Sequence, residues 1–257
     1  MMALGRFIFF GILLFFWVLL GLAIIAGYFS WCSIHKKQPV IRWWSRQLLR
    51  LCRVQVELQG APAAQGTAAL WVANHVSWLD IFVINAVRGT HFVAKSEIRR
   101  WPLLGWLVAG SGTVFIERQR RYAIKEVSKQ LRTLFQQGQV VGLFPEGTTS
   151  DGLDVQRFHS SLFATAIDAN VPLQTIALRF YAGQKRSTRF AFTGDQNLLA
   201  NLWHLLGSTE PARVQCVFVD ALTADQCADM TRAEISRWAW NSVRQAVVDE
   251  PSGHSVQ

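Results

Sequence analysis

From Phe7 to Phe29 the chain runs for 23 residues without a charged side chain. As a helix such a run is roughly 35 Å long, enough to cross the hydrocarbon core of a bilayer. A cleaved secretory leader has a shorter apolar region and ends in small residues. This run ends in Tyr28, Phe29 and Trp31, side chains that favour the membrane–water interface. Residues 1–35 are therefore expected to form a retained transmembrane anchor. Lys36, Lys37, Arg42, Arg46, Arg50 and Arg53 follow the apolar run and only Arg6 precedes it. That asymmetry puts the rest of the chain on the cytoplasmic side of the membrane, held by a single span.

The charge is uneven beyond the anchor as well. Through Pro145 there are 17 basic and 5 acidic residues, and from Glu146 onward 9 and 12, which together give the net +9. The first half thus faces something anionic, a membrane surface or a nucleic acid. Basic residues interleaved with aromatics become scarce beyond residue 132, so an anionic membrane is expected as partner and nucleic acid is not. Arg42, Arg46, Arg50 and Arg53 recur at helical spacing opposite Ile41, Trp44, Leu48 and Leu51. Residues 36–60 read as a basic amphipathic helix and linker, lying on anionic lipid or packed on the domain with its basic face in water. The stretch RRWPLLGWL at 99–107 is too short to span but long enough to dip into one leaflet. Cys32, Cys52, Cys216 and Cys227 have no metal-ligand spacing and are expected to be free thiols.

From 61 to 250, short β-rich runs alternate with helical patterns, and 251–257 reads as a tail. Strands are expected at 69–72, 92–94, 113–116, 140–144, 173–178, 190–192 and 214–219. Ile124, Val127, Leu131, Leu134 and Phe135 form a helical stripe that stops at Gly138, and Thr231 with Glu234 caps a helix running to about Val248. The alternation predicts an α/β fold: a mixed, largely parallel sheet flanked by helices, with the transmembrane and interfacial helices added at the N-terminus. Ligands of such sheets sit at the carboxyl ends of strands. There the polar clusters fall: ANHVSWLD after the 69–72 strand, ERQRR after 113–116, PEGTTSDG after 140–144.

His75 and Asp80 are about 500° apart on an ideal helix, so they cannot share one regular helical face. A helix starting at Ser77, capped by its hydroxyl and closed by Asp80 three residues on, leaves His75 in the preceding turn within reach of the carboxylate. A histidine held by a carboxylate is a general base that takes a proton from a hydroxyl. No G-x-S-x-G elbow supplies a serine nucleophile, and the capping role explains Ser77, so the hydroxyl belongs to the substrate. Without a metal-ligand cluster, no metal or cofactor is expected, and direct acyl transfer from a thioester to an alcohol is the simplest chemistry. Two other readings stay open: hydrolysis by the same histidine with water, and a non-catalytic basic module that binds membrane.

NHVSWLD at 74–80, GTVFIER at 112–118, FPEGTTS at 144–150 and VPLQTIAL at 171–178 resemble, in order, the four conserved blocks of the glycerolipid acyltransferases. The resemblance covers about 70–180 and implies a lysolipid O-acyltransferase of the bacterial inner membrane that uses acyl-CoA or acyl-carrier protein as cosubstrate. The implied acceptor is 1-acyl-sn-glycerol-3-phosphate, giving phosphatidate in phospholipid biosynthesis. The resemblance implies His75 as base and Asp80 as its orienting partner. Arg118, Glu146, Gly147 and Thr148 would hold the acceptor, with Asn74 and Ser77 beside them and Pro172 in the block that lines the acyl site. Two departures stand out: Thr149 where phosphate-using members commonly have arginine, and FHSS at 158–161 where they have F-K-K-G. They point to another lysolipid such as lyso-ornithine lipid, unless Arg157 supplies the missing charge.

Overall fold

The computed structural model describes residues 2–63, 66–117, 123–194 and 196–249. In chain order the elements are α1 (Met2–Gly27), α2 (Ile34–Leu51), β1 (Val54–Gln59), β2 (Ala69–Ala73), α3 (Leu79–Val87), β3 (His91–Lys95), α4 (Leu104–Gly110), β4 (Val114–Ile116) and α5 (Ala123–Gln136). They continue with β5 (Val140–Leu143), α6 (Ala164–Asp168), β6 (Leu173–Ala182), β7 (Lys185–Arg186), α7 (Leu198–Leu206), β8 (Ala212–Leu222), α8 (Ala224–Ala228) and α9 (Arg232–Val248).

The strands form one sheet ordered β1-β8-β6-β2-β5-β3-β4, with the short β7 paired to β6. All neighbours are parallel except β6–β8 and β6–β7. Every residue of β2 and β5 is buried, as central strands covered on both faces require. Along β2, Trp71 and Ala73 point into a core with Trp44, Leu48, Leu79, Val83 and Leu206. Leu70 and Val72 point the other way, against Leu131, Phe135, Phe163 and Ile235. The molecule is thus three layers, with α1 to α4 and α7 on one face and α5, α6, α8 and α9 on the other. The capping box at the start of α9 forms as the sequence predicts, with Thr231 and Glu234 each bonding the other's backbone N–H.

Two expectations about strands change. Val54–Gln59, read as linker, is the edge strand β1 and pairs in parallel with β8, so the sheet begins before residue 61. Phe190–Phe192 is not a strand. Phe190 is buried in the core below α7 while the backbone of Phe192 bonds to a loop, so the apolar pair anchors a turn.

Helix α1 is apolar all round, yet its two sides have different surroundings. Arg6 donates to the Gly207 carbonyl at 3.1 Å, Phe7 packs edge-on to Trp203, and Trp17 stacks on Trp44. Gly21 lets Trp44 and Leu107 approach so closely that a Cβ would lie 2.7 Å from the Leu107 side chain. Ile8, Phe9, Ile12, Phe15, Phe16, Leu19 and Leu20 are exposed on the other side. Helix α2 packs on the domain through Trp44, Leu48 and Leu49. Its arginines divide. Arg42, Arg46 and Arg50 are all exposed, though Arg46 also donates to the Ala86 carbonyl, while Arg53, beyond the helix at φ +57, donates to the Thr209 carbonyl. Of the two arrangements open to this helix, the packed one is what the structure has.

Candidate active site

Strand β2 ends at Ala73, and the chain turns sharply before α3 begins at Leu79. Asn74, at the mouth of this turn, is fully buried, and its side chain both accepts from the Leu178 N–H (2.7 Å) and donates to the Leu178 carbonyl (3.0 Å). Its amide therefore extends the β2–β6 ladder by one side-chain rung and fixes where His75 leaves the sheet.

Around His75 the turn is built on one carboxylate oxygen. Oδ2 of Asp80 lies 2.8 Å from Nδ1 of His75 and accepts the N–H groups of Val76 at 2.7 Å and Ser77 at 2.9 Å. An ionised carboxylate is acceptor only, so Nδ1 carries the proton and the lone pair of the imidazole is on Nε2. One face of the ring stacks on Phe144, whose centroid lies 4.2 Å away at an interplanar angle of 12°, and Phe144 in turn stacks on Phe92. Asp80 is wholly buried while the His75 side chain keeps 21% of its surface. The histidine is thus fixed in tautomer and plane, with one edge open.

The loop after β5 clamps the His75 backbone from both sides. Oε1 of Glu146 accepts the His75 N–H at 2.6 Å, and the Ser150 N–H donates to the His75 carbonyl at 2.8 Å. The second Glu146 oxygen accepts the Gln156 N–H at 2.9 Å. Burial raises the Glu146 carboxyl to about 7, against the pull of those two amides. Gly152, at φ +79, presses its α-carbon on Val76, where a Cβ would lie 2.9 Å from both methyls. These contacts join the ends of β2 and β5, after which two of the polar clusters fall.

Several expected residues have other employment. The Ser77 hydroxyl caps nothing: it is fully buried without a partner, and the half of the capping box that exists is the Asp80 carboxylate on the Ser77 N–H. Both Glu146 oxygens are on backbone amides, and the Gly147 N–H, at φ +76, donates to the Phe144 carbonyl. Thr148 is exposed on the same loop. The Arg157 guanidinium lies 3.9 Å from the ring centroid of Trp240 on α9. Pro172 is at the wrong end of the sheet. Its carbonyl accepts the Leu70 N–H, five residues before His75, which is about 16 Å along a strand. Arg118 and the tail 251–257 lie outside the described residues.

What the sequence did not indicate is the wall supplied by 187–206. The Phe192 N–H donates to the Val76 carbonyl at 2.9 Å, the Thr149 hydroxyl donates to the Phe192 carbonyl, and Asn201 bridges the Ala191 carbonyl and Trp78 Nε1. The one expectation in this stretch was a strand at 190–192, which does not form.

An apolar cleft between α1, α2, α3 and α4 is lined by Gly21, Ile25, Trp44, Ile81, Phe82 and Leu107, with Ile81 and Phe82 directly after Asp80. A larger cavity, about 410 Å³, lies at the opposite ends of β3 and β4, beside His91. Among the described residues no three His, Cys, Asp or Glu side chains gather in a metal-holding group.

The comparisons with known proteins agree with one another. An acyltransferase family profile matches residues 53–179. A lyso-ornithine lipid O-acyltransferase of Pseudomonas aeruginosa is 32% identical over 89% of this chain and 90% of its own length. A 1-acyl-sn-glycerol-3-phosphate acyltransferase of Neisseria meningitidis serogroup B is 34% identical over 85% of this chain and 84% of its own. In fold, the crystal structure of the 1-acyl-sn-glycerophosphate acyltransferase of Thermotoga maritima matches with a TM-score of 0.70 at 18% identity, covering 96% of each chain. With four ordered blocks, a histidine–aspartate pair at the strand ends and relatives matched over nearly their whole length, the chain belongs to the acyltransferase family.

Proposed function

We propose that this enzyme moves a fatty acyl chain from an acyl thioester, carried by coenzyme A or acyl-carrier protein, to the free hydroxyl of a lysolipid. The observation that carries the reading is the open Nε2 of a histidine whose Nδ1 is fixed on a buried carboxylate. Nε2 takes the hydroxyl proton as the oxygen attacks the thioester carbonyl, and Asp80 stabilises the imidazolium that forms. The tetrahedral intermediate collapses, the carbon–sulfur bond breaks, and the proton on Nε2 passes to the departing sulfur to give a thiol. The apolar cleft beside Ile81 and Phe82 is the natural place for an acyl chain.

The acceptor is 1-acyl-sn-glycerol-3-phosphate, giving phosphatidate. Lyso-ornithine lipid is the second reading, supported by the Thr149 side chain, which stands where phosphate-using members commonly carry arginine. Relatives named for each acceptor match this chain over comparable lengths.

The enzyme acts on the cytoplasmic face of the bacterial inner membrane. Helix α1 is long and apolar enough to cross a bilayer. It is also held along the domain from Arg6 to Ile25, so its outward face is what meets lipid. Trp31 at 90% exposure, Trp106 at 71% and the exposed Trp101 and Leu103 continue that apolar surface. Offering the purified protein labelled acyl-CoA with both lysolipids side by side, and following the products by mass spectrometry, tests the reaction and the acceptor together. Product from neither acceptor, with either donor, would contradict it.

A further inference from the structure

Thr149 lies between Glu146 and Ser150, the two residues that clamp the His75 backbone, and its hydroxyl is spent on the Phe192 carbonyl. The N–H of the same residue, Phe192, bonds the carbonyl of Val76, the residue next to His75. Residue 192 is therefore pinned on both sides: by the loop after β5 through a side chain and by the His75 turn through the backbone. Phe190 holds the segment from below, 1% exposed in the core. Asn201, 2% exposed on α7, holds it from the far side by donating to the Ala191 carbonyl while accepting Trp78 Nε1–H. The segment 188–194 is a strap, three times tied, along one side of the open histidine. It lies outside residues 53–179, the part that matches the family profile. Helix α7, which follows the strap, packs by Trp203 on Phe7 of α1.

We infer that Thr149 is a positioning residue for acceptor selectivity: through Phe192 it fixes the strap as the wall against which the lysolipid head group is read. Resting on the proposed acyl transfer, the inference concerns which acceptor is taken, not the chemistry. The hydroxyl of Thr149 touches neither His75 nor Asp80, so its loss leaves the base in place and frees the wall. A head group that fits the fixed wall then binds less well, while one that never used it is unaffected. The two acceptors therefore respond unequally.

The test is kcat and KM for 1-acyl-sn-glycerol-3-phosphate and for lyso-ornithine lipid, with one acyl-CoA, in the full-length wild type, Thr149→Val and Thr149→Ser. Thr149→Val is expected to raise KM for the better acceptor about tenfold, the effect of one lost hydrogen bond, and to narrow the ratio of kcat/KM between acceptors by a similar factor. Thr149→Ser, which keeps the donor, restores the wild-type ratio. Asn201→Leu loosens the strap from its other side and shifts the ratio in the same direction, so the outcome does not hang on one variant. An unmoved ratio in both Thr149→Val and Asn201→Leu, or an equal fall in kcat for both acceptors, overturns the inference and leaves the acyl transfer standing. A wild type that acylates neither lipid overturns both.

Discussion

Oδ2 of Asp80 lies 2.8 Å from Nδ1 of His75 and carries two backbone N–H bonds besides. One oxygen thus sets the fold of the turn and the tautomer of the base. In Asp80→Asn the amide oxygen keeps the two backbone N–H groups and Nδ1–H, but the negative charge that stabilises the imidazolium is gone. The expected result is a fall in kcat of about 10²-fold or more with KM little changed, read from steady-state kinetics. An unchanged kcat would separate the turn from the chemistry.

The Ser77 hydroxyl is fully buried and unpaired. Burying an unsatisfied polar group costs about 1–3 kcal/mol, so Ser77→Ala is expected to be neutral or stabilising in urea unfolding. Were the hydroxyl a helix cap, the same substitution would cost about 1 kcal/mol.

Glu146 titrates at about 7 in the folded protein against an ordinary 4.5, because burial disfavours its charge. The folded state therefore binds more protons than the unfolded state between those values. The contribution of Glu146 to stability is full below pH 4.5, declines as pH rises to about 7 and is level above it. The slope is worth about 3 kcal/mol. In Glu146→Gln that decline should vanish, so the variant gains on the wild type between pH 5 and 8 in denaturant melts. Parallel stability curves would place the Glu146 titration elsewhere.

The two faces of α1 make separable predictions. Replacing Phe9, Ile12 and Phe16 by serine should cut sedimentation with anionic vesicles and leave the melting temperature nearly unchanged, because those side chains are exposed. Gly21→Leu, on the packed face, should cost about 1–3 kcal/mol by forcing Trp44 and Leu107 apart. Equal effects on both measurements in both variants would mean the faces are misassigned.

Which parts of this were legible in the sequence follows from where contrast exists. The β2 and β5 runs, the Leu131 stripe of α5 and the Thr231 capping box carry strong local patterns, and each formed as expected. The histidine–aspartate pair was legible because five residues exclude a shared helical face and leave few other arrangements. Helix α1 hid its two faces, since a helix apolar all round shows no polar side from which to tell protein from lipid. Val54–Gln59 does alternate, but it follows a basic helix directly and was read as its linker. Pro172 was misplaced because a block can be ordered correctly along the chain and still begin at the far end of its strand. The strap was read only as a strand at 190–192. Its ties are backbone carbonyls and N–H groups, invisible in side-chain pattern, and the apolar Phe190 and Phe192 imitate a strand.

The most direct measurement is the turnover number of His75→Ala against wild type, in protein shown by circular dichroism and vesicle binding to be folded and membrane-associated. With acyl-CoA and the preferred lysolipid, kcat is expected to fall about 10²- to 10⁴-fold while KM stays within a small factor. Retained turnover in that folded, membrane-bound protein would contradict His75 as the base, and with it the mechanism.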